Sequence, residues 1–140
     1  MTVISSTKVR NEWSAVSESV IREKPAFIKK TRDYMFLSNL STLEQVLSAY
    51  SFNADIYIED DGTITLSLRE MDIAENAKTR DEGITKLASS ILEYASEFYE
   101  DYAFWAKGDR IAHIPYVLKA LILNDIEKVG GLIQCHHGEI

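Results

Sequence analysis

The residues best equipped for chemistry in this 140-residue sequence come early: Arg10, then Lys29, Lys30 and Arg32 within four positions. DNA presents about one negative charge per 1.7 Å of axis, so a compact group of cations can neutralise several phosphates. Phosphate contacts supply affinity and position, whereas sequence is read at base edges. An arginine can donate two hydrogen bonds to guanine O6 and N7 in the major groove, which makes Arg10 the first candidate for base reading. The same cations have a plainer reading, as solvated charge on a unit that only dimerises.

Other chemistry finds less support. Cys135-His136-His137 and His113 are zinc-ligand types, but adjacent histidines lack the paired spacing, about two to four residues, of zinc sites. No metal is expected, and no cysteine–histidine nucleophile pair is implied by the spacing. Asp60 and Asp61 precede Gly62, where turn chemistry explains them. A phosphate-binding P-loop, a dinucleotide glycine pattern, H-E-x-x-H and G-x-S-x-G are all absent. The expectation is a non-enzymatic protein without a cofactor.

Composition sets the frame. With 46% hydrophobic and 26% charged residues, two prolines and six glycines, the chain should fold with short connections. No apolar run approaches the roughly 20 residues of a membrane span. The start MTVISSTKVRNEW does not read as a signal peptide, and a single cysteine fits a reducing compartment. A cytoplasmic protein without a membrane partner is expected. The net charge of −7 hides an asymmetry: residues 1–34 carry seven Lys/Arg against four acids, and the remainder eight against eighteen. One surface for an anionic partner and another for a basic one follows from that division. Glu93, Glu97, Glu100 and Asp101 are the acids placed to face a basic partner, and the aromatics Tyr94, Phe98, Tyr99, Tyr102, Phe104 and Trp105 are expected mainly in the core.

The elements that position these residues are legible as patterns. Thr2-Val3-Ile4 predicts a strand, and Ser5-Ser6-Thr7 offers N-caps for a helix whose Val9, Trp13, Val16 and Val20 line one face up to Pro25. Residues 26–30 and 34–37 predict a hairpin around Thr31-Arg32-Asp33, with the basic residues at its tip. Ser41-x-x-Glu44 reads as a capping box opening a second helix. Alternation then predicts a hairpin over 54–68 with Asp61-Gly62 in the turn, and Thr79-x-x-Glu82 caps a long helix through Phe98 and Tyr102. Gly108 breaks that pattern, Pro115 starts another helix, a short helix over 125–129 should be terminated by Gly130-Gly131, and an extended segment and tail complete the chain.

The order STKVRNEWSAVSESV, REKPAFIKKTRD, MFLSNLSTLE resembles the N-terminal domain of the Phd/YefM antitoxins over roughly residues 1–50. The carrying residues are Ser6 with Arg10, Pro25 to Lys30, Leu37 to Leu40, and Ser41 to Glu44. The resemblance implies DNA contact by Ser6, Thr7, Lys8, Arg10 and Lys30, joined by Lys29 and Arg32 of the basic cluster, and by backbone donors at the helix start. The stretch from ADIYIEDDGTITLSL to TRDEGITKLASSILEYASEFYE is similar to the β-β-β-α fold of HicB-type antitoxins. It has Glu75-Asn76-Ala77-Lys78-Thr79 where that family has a glycine-containing turn, and lacks its P-x-x-P-G run. Phd/YefM proteins mostly continue into a disordered toxin-binding tail, whereas this chain continues into a patterned half, so toxin-binding residues are not assigned.

The expected fold is α+β, a β-α-β-β-α unit over 1–52 followed by an acidic hairpin and long-helix unit with C-terminal helices over 53–140. The expected function is that of an antitoxin, neutralising a cognate toxin such as a basic ribonuclease and repressing its own operon as a homodimer or higher oligomer on operator DNA. The alternative is a dimerising interaction module without DNA binding.

Overall fold

The computed structural model describes residues 2–137 and has the expected α+β architecture. The chain divides into two compact units, Met1–Val46 and Leu47–Ile140.

In the first unit β1 (Val3–Ser5) runs parallel to β2 (Ala26–Lys30), which pairs antiparallel with β3 (Asp33–Leu37). The single helix expected between β1 and Pro25 is instead two, α1 (Ser6–Asn11) and α2 (Trp13–Arg22), broken at Glu12 with φ −122° and ψ 34°. The break turns α2 out of register with α1, so the predicted apolar stripe splits. Val16 and Val20 are buried with Ala26 and Ile28, Val9 packs against them, and Trp13 is left exposed. The Ser41 capping box does not form. The third helix, α3 (Leu40–Leu47), starts two residues earlier, and Asn39 Oδ1 accepts from Thr42 N at 2.9 Å while its Nδ2 donates to the Ile21 carbonyl at 3.0 Å. Asn39 thereby caps α3 and ties it to the end of α2, two bonds where Ser41 offered one.

The second unit is built on a four-stranded sheet of order β6-β5-β4-β7, with β7 spanning Ile133–His137. Strands β4 (Phe52–Ile58), β5 (Ile64–Leu68) and β6 (Ile73–Ala77) form an antiparallel meander. Gly62 takes φ +84° in the first turn, a region open to residues lacking a Cβ, and Asp61 Oδ1 accepts from both Thr63 N and Thr63 Oγ1. Thr79 Oγ1 accepts from Glu82 N, capping α4 (Arg80–Glu100) as predicted. Leu87, Ala88, Ile91, Ala95 and Phe98 of α4 pack with Phe52, Ala54, Leu66 and Leu68 of the sheet and with Val117, Ala120 and Val129 of α6 (Ile114–Leu123) and α7 (Ile126–Leu132). Between α4 and α6 lie α5 (Tyr102–Trp105) and a 3-10 turn, Gly108–His113.

One expectation changes at the C-terminus. Gly130-Gly131 does not stop α7, which runs through both to Leu132. A Cβ on Gly130 would stand 3.4 Å from Ile84 Cγ2 and 3.8 Å from Ala88 Cβ, so this glycine marks close approach of α7 to α4. The brief extended segment expected after α7 is extended and also paired, as β7 (Ile133–His137), parallel to β4 with Ala54 opposite Cys135. Residues 138–140 of the expected tail lie outside the described residues.

Candidate nucleic-acid interface

Parallel pairing of β1 with β2 sets Ser5 opposite Lys29, so both strands finish at the same end of the sheet. There β1 leads directly into α1, and β2 enters the turn formed by Thr31 and Arg32, with Thr31 at φ 58° and Lys30 opposite Asp33. Ser6, Thr7 and Lys29 consequently line one open cavity of about 390 Å³, together with Val3, Ser5 and Thr31. Arg10 lies one helical turn beyond Ser6 on the same face of α1. Lys8 is turned away: it lines a second cavity, of about 440 Å³, beside Glu12, Val16 and Lys24. Lys30 and Arg32 are exposed and line neither cavity, Lys30 alternating to the strand face opposite Lys29.

Among the described residues, none of Lys8, Arg10, Lys29, Lys30 and Arg32 is held in a salt bridge, whereas Arg22 is paired with Glu18. Their charge is therefore available to an anion. The backbone donors expected at the start of α1 are partly used, because Ser5 Oγ accepts from Lys8 N at 3.1 Å.

The sheet also shows a feature that the sequence reading did not assign. Its face away from the buried Ala26 and Ile28 is bare and aromatic: Phe27 and Phe36 stack tilted at 5.1 Å, and Lys29 Nζ lies 5.5 Å over the Tyr34 ring. Phe36 is 56% exposed, and the whole of β3 lies at the sheet edge. The signal was available in the alternation of Phe27 with Lys29 and of Tyr34 with Phe36 across a tight turn.

Elsewhere the chemistry-bearing groups have structural partners. His136 Nε2 meets Asn53 Oδ1 at 2.9 Å, and His113 Nδ1 meets Tyr94 Oη at 2.7 Å. Burial holds the His113 imidazole below its ordinary pKa and pushes the Tyr94 hydroxyl up. Arg69 grips Asp55 through Nε and Nη2 and keeps that carboxyl below the ordinary range. Hydrogen bonds from Thr63 hold the Asp61 carboxyl low, consistent with its place in the turn. Among the described residues no three His, Cys, Asp or Glu side chains converge as for a metal ion, and no helix is long and apolar enough to cross a membrane.

The aromatic cluster near the end of α4 departs from the core assignment. Phe98 is buried, and Tyr94 and Trp105 pack against the core, but Tyr99, Tyr102 and Phe104 are exposed. Tyr99 lies within α4 beside its buried stripe, and a helix break at Asp101, with φ −129° and ψ 55°, separates α5 from α4 and carries Tyr102 and Phe104 off that stripe.

Residues 1–135 match the PHD-like family, described as "Antitoxin of toxin-antitoxin, RelE / RelB, TA system". The chain is also similar to a crystal structure from Syntrophomonas wolfei subsp. wolfei, described as an antitoxin part of a proposed toxin/antitoxin system. The two are 29% identical with a TM-score of 0.92, over 99% of this chain and 100% of that one. No curated protein matches the chain.

Proposed function

Because the chain belongs to the PHD-like antitoxin family, we propose that it neutralises a cognate toxin by direct binding and represses its own operon by binding operator DNA as a homodimer. The first unit takes the dimerising and DNA-binding part, in the manner of the Phd/YefM antitoxins. The second, whose strand meander and long helix resemble the HicB-type arrangement, takes the toxin, such as a basic ribonuclease. This is a binding role, located in the cytoplasm, and involves no catalysis.

One observation carries the DNA half. Parallel β1–β2 pairing gathers Ser6, Thr7 and Lys29 at one end of the sheet, with Arg10 and the Lys30-Arg32 turn adjoining and all four cations free of salt bridges. Dimerisation is supported by the bare aromatic face and by the small core, four buried side chains in a unit ending at Val46. Domains of about 60 residues are already marginal alone. A two-fold pair suits a palindromic operator with half-sites about 34–36 Å apart.

The test is binding of the full chain to DNA upstream of its own reading frame, titrated with salt. With Lys8 turned away, the four exposed cations Arg10, Lys29, Lys30 and Arg32 of each protomer allow up to eight phosphate contacts per dimer. Each removal costs two contacts per dimer and reduces the log–log salt slope by about 1.8. Lys30→Ala should lower the slope by that amount, and Arg10→Ala should also weaken discrimination between operator and unrelated DNA. Salt-independent or absent binding by a chain that still dimerises would favour the interaction-module reading.

A further inference from the structure

We propose that the knuckle where α4 breaks into α5 is the docking surface for the toxin, recognising a partner face with an apolar centre ringed by Lys and Arg. The inference rests on the antitoxin reading above and names the surface it uses.

Neither α5, which is wholly apolar and aromatic, nor the following 3-10 turn, which carries Ile111, contributes a buried side chain. Tyr99 is 60% exposed, Phe104 54% and Ile111 55%, with Tyr102 also open to solvent. Monomeric surfaces seldom expose so many large rings together without a function. Phe104 and Tyr102 are held in place. The Arg110 guanidinium lies 5.3 Å over Phe104 and 4.9 Å over Trp105, and Arg110 Nη2 donates to the Phe104 carbonyl at 3.0 Å. Phe104 meets Trp105 edge-on at 5.6 Å, and Tyr102 meets the buried Phe98 edge-on at 5.7 Å. Preset aromatic anchors lose little freedom on binding and commonly dominate interface energetics.

Charge complementarity selects the occupant. Exposed Glu97, Glu100 and Asp101 adjoin these rings in the chain, within a unit carrying seventeen acids against eight Lys/Arg. Such a field accelerates encounter with a basic protein and repels nucleic acid and other acidic chains. A second copy of this unit would bring like charges together.

The experiment titrates the full chain with the purified toxin encoded beside it, by calorimetry and stopped flow. Tyr99→Ser combined with Phe104→Ser should weaken binding by at least about 30-fold, mostly through faster dissociation. Glu97→Lys with Glu100→Lys should slow association about tenfold or more and flatten its salt dependence. Tyr99→Ser alone, at the most exposed of the rings, guards against loss of folding and should still weaken binding several-fold. If the parent chain binds toxin and all three variants match it, or if they change self-association instead, the surface is wrong and the antitoxin reading stands. A parent chain that does not bind overturns both.

Discussion

The glycines of the second unit offer a test in which the sign of the effect is set by geometry. Gly83, Gly130 and Gly131 all lie in helices without positive φ, so alanine is sterically allowed by the backbone at each. Alanine improves on glycine in a helix interior by about 1 kcal/mol, and by less near the ends. At Gly131 a Cβ meets nothing within 4 Å, so Gly131→Ala should stabilise by about 0.5–1 kcal/mol from propensity alone. At Gly130 the new methyl touches Ile84 and Ala88 at ordinary contact distance, adding part of the roughly 0.8 kcal/mol of a buried methylene. At Gly83 it would stand 2.5 Å from Leu66 Cδ1, and Leu66 is fully buried, so its side chain has to shift within the packed core. Overpacking of this kind costs about 1–3 kcal/mol, which exceeds the helical gain. Gly83→Ala should therefore destabilise while the other two stabilise. Scanning calorimetry of the full chain reads the difference, since 1 kcal/mol moves the midpoint of a 60–100-residue domain by about 4–8 °C. If Gly130→Ala and Gly131→Ala both lower the midpoint, the pair is a helix stop after all and α7 ends at Val129.

Two further outcomes follow from particular side chains. His113 is depressed mainly by burial below its ordinary value of 6.5, so the folded state binds fewer protons than the unfolded one. Its contribution to stability is complete above about pH 6.5 and is lost as pH falls through the lowered folded value. The melting temperature should drop on acidification below pH 6.5, and less so in His113→Gln; equal slopes in both would show that His113 is not the group responsible. Phe36→Glu puts a charge on the bare face of the first sheet and should convert the proposed dimer to a monomer in sedimentation equilibrium, with the proposed DNA affinity falling in parallel. An unchanged dimer would move the interface away from that face.

How far the fold could be read from sequence depended on whether a local signal acted alone. Thr79 caps α4 because no competitor adjoins it, and Gly62 turns the hairpin because few other residues suit φ +84°. Ser41 lost its cap to Asn39, whose amide makes a second bond to Ile21, a contact between residues 18 apart that no local pattern contains. The break at Glu12 displaced Trp13 from the core because a stripe drawn at 3.6-residue period assumes an unbroken helix. Gly130 looked like a stop and proved to lie inside α7 at ordinary contact distance from Ile84, since a glycine in the sequence does not itself say whether the backbone requires it. The basic residues were legible as a cluster. That Lys8 turns to the other cavity was not, because it depends on which face of α1 meets the sheet.

The two sheets differ in what they leave uncovered, and the difference bears on where a second copy binds. The open face of the four-stranded sheet is polar and internally satisfied: Arg69 with Asp55, Asn76 with Thr63 and Thr65, His136 with Asn53. Such a face is stable against water. The three-stranded sheet leaves Phe27, Tyr34 and Phe36 between 38% and 56% exposed on the face away from its core. Full burial of such a ring is worth about 1.5–3 kcal/mol, so covering the exposed half of each contributes about 1 kcal/mol, and six rings in a two-fold pair about 6 kcal/mol. Association costs about 4–15 kcal/mol in lost freedom, so the rings alone bring the dimer only to balance. For the proposed dimer to hold, a surplus has to come from elsewhere on the same unit, and β3, whose outer N–H and C=O groups face no strand among the described residues, is the nearest source. The register closes on the bonded pair Lys30 and Asp33, so Ile28 and Met35 are bonded to each other and the N–H of Phe36, opposite Phe27, faces outward. N-methylation of the Phe36 amide, introduced by semisynthesis, would remove that outward donor without altering the rings. It should weaken the dimer if β3 pairs with its copy, and leave it intact if the aromatic face suffices.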